Sequence, residues 1–168
     1  MEALDRNWRR LAGRIPAAAE ADAARIVRAF RGDIVLTPPR ASKWGSYRWR
    51  SDLGAKIFLN RDLQPEAMLI TLLHELAHAQ VKAWDGLGCA PHGAEWQKRY
   101  RELLAPFIAL PEVFSPAVAR ALQRQLHKPK ASCGAAPDLL RALRADSDQL
   151  RVEHLPEGAW FRLDNGME

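Results

Sequence analysis

The chain has 168 residues, enough for one domain with a substantial core and too few for two full-sized ones, so a single main domain with a small appendage is the natural partition. Hydrophobic residues make up 48% and charged residues 27%, which excludes wholesale disorder. Lys and Arg outnumber Asp and Glu by 25 to 20, and the resulting charge of +5, carried mostly by Arg, points to an anionic partner such as nucleic acid without supplying a motif for one.

In chain order, Leu4, Trp8, Leu11 and Ile15 fall at helical spacing, and Pro16 closes that first amphipathic segment. A second helix is expected from Ala17 to Phe30, with Ile26, Val27 and Phe30 inward and Gly32 as its stop. Asp33 to Thr37 reads as a buried strand ending at Pro38-Pro39. Ser42 to Arg50 and Ala55 to Leu59 then flank a turn at Ser51-Asp52-Leu53-Gly54, giving a sheet of three strands. Pro65 suits the first turn of a helix that Met68, Leu69, Leu72, Leu73, Leu76 and Ala77 carry to about Trp84, before Asp85-Gly86-Leu87-Gly88 breaks it. Further helices are expected from near His92 to Leu104, ended by Pro106, and from Pro116 to Leu126. The order predicts an α+β domain over 1–127, a Lys-, Pro-, Ala- and Ser-rich linker over 128–137, and an appendage over 138–168. In that appendage a helix at Asp138 to Arg144 precedes a hairpin-like pair, Leu150 to Leu155 and Ala159 to Leu163.

No run approaches the 18 or so apolar residues of a membrane span, so no membrane is expected as partner. Arg6, Arg9 and Arg10 sit near the N-terminus without the apolar stretch of a signal peptide behind them. Two cysteines, Cys89 and Cys133, are too few for a disulfide framework, and the expected compartment is a reducing cytoplasm.

The chemistry concentrates at His74-Glu75-Leu76-Ala77-His78, an H-E-x-x-H motif inside a helix-forming window. Residues four apart lie one above the other on a helix, so both imidazoles can reach one cation while Glu75 projects beside them towards a water. A catalytic zinc normally takes three protein ligands. The extended pattern with Gly and His at positions 81 and 84 is excluded by Val81 and Trp84. His92, after a Gly-containing turn able to bring the next helix back across the first, is the favoured third ligand, with Glu95 in a supporting position one turn on; a carboxylate ligand from Glu95 or Glu102 is the competing reading. His127 and His154 have no metal-ligand spacing.

Trp44-Gly45-Ser46, then Lys56-Ile57-Phe58-Leu59-Asn60, then Leu72-Leu73-His74-Glu75-Leu76-Ala77-His78-Ala79, then His92-Gly93-Ala94-Glu95-Trp96 together resemble the SprT-like metallopeptidases, a family that includes the DNA-protein crosslink protease Spartan. The resemblance covers roughly residues 5 to 110. It implies a zincin-like domain, one catalytic Zn2+ on His74, His78 and His92, and Glu75 as general base in hydrolysis of a polypeptide, including proteins held on or crosslinked to DNA. Trp44-Gly45-Ser46 is also similar to a related bacterial branch of metal-dependent hydrolases, but the long interval from His78 to His92 favours the SprT side. Many SprT-like proteins append a zinc ribbon with four cysteine ligands, which Cys89 and Cys133 cannot build.

Contact with single-stranded DNA would therefore fall to residues such as Trp44, Tyr47, Arg48, Trp49 and Arg50, whose alternation would set rings on one strand face and charge on the other. The same alternation fits a Trp-lined core strand with a solvated basic face. Two other functions stay open: a hydrolase of the same fold with a substrate unrelated to DNA, and a non-catalytic zinc or nucleic-acid-binding module linked to transcription. The intact Glu75 argues against the module, because metal binding alone does not need it.

Overall fold

The computed structural model describes residues 2–85, 88–127 and 137–145. Its first helix, α1 (Glu2–Leu11), stops short of the expected Ile15 because Gly13 turns left-handed at φ +73° and its N–H donates to the Glu20 carboxylate at 2.7 Å. Ile15 is still buried, but from the turn. A short 3-10 turn (Ala17–Ala19) leads into α2 (Glu20–Ala29), which buries Ala23, Ala24 and Val27. Gly32 does not stop α2; it opens the first strand, where an added Cβ would collide with the Ala55 carbonyl.

Three strands form one sheet in the order β1 (Gly32–Thr37), β3 (Gly54–Asn60), β2 (Gly45–Arg50). β1 runs parallel to β3 with Ile34 opposite Ile57, and β2 runs antiparallel to β3 with Tyr47 opposite Ile57. Ile34, Ile57 and Leu59 therefore share one face and are fully buried there. Along the outer edge of β1, the buried Asn7 side chain of α1 donates to the Gly32 carbonyl at 2.8 Å and accepts from the Ile34 N–H at 2.9 Å, capping an edge that would otherwise seek another strand.

The next helix, α3 (Pro65–Gln80), packs between the sheet and α4 (Ala94–Ala109) and is buried on nearly all sides. Each large apolar side chain it buries, Leu69, Ile70, Leu72 and Leu73 among them, stabilises the fold by ~1.5–3 kcal/mol. That margin is what lets the same helix carry two buried titratable groups, His74 and Glu75. α3 ends in a single π-helical turn, Val81–Asp85, short of a regular helix through Trp84.

Pro106 lies inside α4 rather than ending it. The missing hydrogen bond falls on the Glu102 carbonyl, on the exposed side of the helix, while buried Leu104 and Phe107 hold the turns around it to the core. α5 (Pro116–His127) is tied to α3 through the Glu66 carboxylate, which accepts from the Ser115 N–H, and α6 (Pro137–Ala145) packs on α5 through Leu139, Ala142 and Leu143. Residues 128–136 of the expected linker and the expected hairpin pair lie outside the described residues. Among the described residues, no helix is long and apolar enough to cross a membrane.

Candidate metal centre

His74 and His78 stand one turn apart on α3, on the side that faces α4. His92 reaches them from the turn before α4, not from the helix itself, with φ at +59°. A histidine in the left-handed region costs ~1–2 kcal/mol, and here that conformation aims the ring back at α3. The Gln97 side chain donates to the His92 carbonyl at 3.2 Å and holds the turn down on the first turns of α4.

The result is a convergence of three ring nitrogens. His92 Nε2 lies 3.0 Å from His78 Nε2 and 3.2 Å from His74 Nε2. Two nitrogen ligands at ~2.0–2.1 Å from a tetrahedral zinc would lie about 3.3 Å apart, so the observed spacing fits a metal-ligand set. Among the described residues these three form the group able to hold a metal ion. Burial drives the His74 imidazole down to about 3, with the His78 and His92 charges adding to the effect; burial and then His92 bring His78 to about 4; burial lowers His92 as well. At neutral pH all three are uncharged, the form that ligates.

Beneath the rings lies Trp96, 1% exposed, with ring centroids 4.7 Å from His74 and 4.6 Å from His92. Its indole N–H points at the His74 carbonyl at 3.4 Å, and Tyr100 stacks on it at 4.9 Å while also reaching the His74 ring at 5.7 Å. Glu95 stands exposed in the first turn of α4, and exposed Glu102 pairs with Arg99 at 3.3 Å.

Glu75 projects from the adjacent side of α3, about 100° round the helix from His74, 6% exposed and against the start of β2. A Cβ on Gly45 would lie 2.8 Å from Glu75 Oε1 and 2.6 Å from Thr71 Cγ2, so only glycine lets the strand come this close. Burial raises the carboxyl to about 7, against the opposing pull of the Tyr47 backbone N–H that donates to it and of the Arg40 and Lys43 charges. Both cations come from the β1–β2 connection, whose shape is set by buried Asn60. Its amide donates to the Arg40 and Lys43 carbonyls, each at 3.1 Å, and its oxygen accepts from Arg40 Nε at 2.8 Å. Those bonds keep residues 42–44 out of β2, which begins at Gly45 rather than at the expected Ser42.

The five residues considered for nucleic acid divide. Trp44 precedes the strand and packs, like Tyr47, against the core. Tyr47 and Trp49 share the α3 side of β2, whereas Arg48 and Arg50 face the other way, Arg48 over Phe58 and Arg50 paired with Asp52 at 2.7 Å. Arg40, Lys43, Asn60, Gln97 and Tyr100 carry parts of the site that sequence reasoning missed. Asn60 and Trp96 did stand in the quoted motif runs, but only the fold assigns them a task.

The profile of the SprT-like family matches residues 30–113, from the end of α2 to just beyond α4. No curated protein and no solved structure matches the chain.

Proposed function

Because the chain belongs to the SprT-like family, we propose that it is a zinc metallopeptidase of the zincin type that hydrolyses peptide bonds, with His74, His78 and His92 as ligands and Glu75 as general base. The observation that carries this reading is the convergence of three uncharged imidazoles beside a buried glutamate whose proton affinity sits near neutrality. Zinc, when bound there, would lower the pKa of a water from 15.7 to about 7 and polarise an amide carbonyl. In this reading Glu75 would take the proton that such a water loses as its oxygen bonds to the carbonyl carbon. The same carboxyl oxygen then delivers that proton to the amine nitrogen as the C–N bond breaks. Gly45 and the Tyr47 N–H hold the carboxylate in place, and Trp96 walls the ligand rings on the core side.

Proteins associated with DNA are our candidate substrates, supported by the charge of +5 and by exposed Arg48, Trp49 and Arg50. A metal-content assay joined to a peptide-hydrolysis assay tests the reading. The full chain should carry zinc in one-to-one ratio, and His92→Ala should lose it. Glu75→Gln should retain the metal while turnover falls about 10²–10⁴-fold. Undiminished turnover in Glu75→Gln would remove the base assignment, and undiminished zinc in His92→Ala would remove the third ligand. Stimulation by single-stranded DNA supports the DNA-associated substrate, and indifference to it supports an unrelated one.

A further inference from the structure

On the flank of α3 away from the imidazoles, α2, the β2–β3 end of the sheet and the π-helical turn enclose a pocket of about 530 Å³. Its floor is apolar, made by Ile26, Phe30, Leu76, Ala79 and Leu103, with Tyr47 beside them on the sheet side. Its rim carries Arg25, Arg31 and Lys82, with Trp49 and Trp84 standing 47% and 65% exposed, and among the described residues no aspartate or glutamate lines it. Arg25 is paired with Asp22 at 2.9 Å, whereas no described carboxylate pairs with Arg31 or Lys82. An apolar floor under unneutralised cations is complementary to a ligand with an apolar body and negative charge beside it.

From these features we infer that the pocket is a recognition site for a polypeptide segment that inserts a bulky apolar side chain and sets acidic residues against Lys82 and Arg31. One observation favours a peptide over a nucleobase. Each exposed indole already has one face covered, Trp49 by Lys82 Nζ at 4.1 Å from the ring centroid and Trp84 by the Arg99 guanidinium at 4.9 Å. The pocket also adjoins the proposed base. Tyr47 lines it and gives its backbone N–H to Glu75, and Ala79 follows Glu75 by one helical turn, ~6 Å along the axis. A side chain seated in the pocket thus brings its own backbone towards the carboxylate. This choice of occupant rests on the peptidase reading.

The test measures binding in the Glu75→Gln full chain, where no turnover is needed, by fluorescence anisotropy. The probes are a short labelled peptide with a central Phe flanked by Glu and its twin flanked by Lys. The Glu-flanked peptide should bind about tenfold or more tighter. Lys82→Glu combined with Arg31→Glu should reverse that order, and Ala83→Trp, which fills the pocket from its exposed rim, should weaken both peptides. Equal binding of the two, or an order untouched by charge reversal, overturns the inference. So does a single-stranded oligonucleotide that binds more tightly than either peptide and loses that binding in Lys82→Glu. If the Glu-flanked preference appears but the parent chain cleaves neither peptide, the pocket assignment stands and the peptidase reading fails.

Discussion

The two flanks of α3 solve opposite electrostatic problems within one stretch of helix. On the α4 side, three imidazoles crowd together and burial keeps them uncharged. On the β2 side, a carboxylate is buried as deeply as His74, yet a backbone N–H and two cations restrain its pKa near neutrality. The lesson is that a candidate metal site needs only converging lone pairs, which two short segments can provide, whereas a carboxyl held near neutrality needs surroundings drawn from strand, loop and helix together.

The comparison breaks most visibly at Gly45. Gly45→Ala inserts a methyl group at 2.8 Å from Glu75 Oε1, so β2 or the carboxylate must move. Because a misplacement of about 1 Å can cost 10²-fold in rate, peptide hydrolysis should fall on the order of 10²-fold while zinc content holds. Metal lost together with activity would mean that the two flanks are not separable. At the ligand flank, His92→Ala and His92→Gly both remove the ring but differ in backbone freedom at φ +59°. In the metal-free protein the glycine variant should be the more stable by ~1 kcal/mol, read by chemical denaturation.

Smallest and most diagnostic is the pH dependence of the metal-free protein. His74 and His78 have folded pKa values below 6.5, so their share of stability is complete above that pH and is lost as pH falls towards 4 and then 3. Glu75 has the opposite sign: its pKa is raised, so its share is present below 4.5 and lost as pH rises through about 7. Glu75→Gln removes only the second effect. Its stability relative to the parent should therefore grow steadily from pH 4.5 to 7 in parallel denaturation series. A flat difference would mean that the carboxyl is not strained by burial.

Much of this was legible in the sequence because it is periodic or local. The apolar spacing from Met68 to Ala77 defines α3, and the four-residue interval puts His74 and His78 on one side of it. The turn at 51–54 sets two strands against each other. What was not legible depends on pairs distant along the chain. Nothing local announces that Pro106 is tolerated within α4, or that His92 takes a left-handed backbone outside the helix it was expected to start. The surroundings of Glu75 were invisible for the same reason: Arg40, Lys43, Gly45 and Tyr47 lie 28 to 35 positions upstream and meet it only after the sheet forms.

Asn60 shows what such a distant contact demands of one side chain. Its nitrogen end faces two carbonyls and its oxygen end faces a guanidinium, so the group is polarised across the loop in a fixed sense. Aspartate has the same outline but offers oxygen at both ends, and would confront those carbonyls with a second set of lone pairs. Shape alone thus leaves this position underdetermined; the direction of a single dipole is what selects the residue.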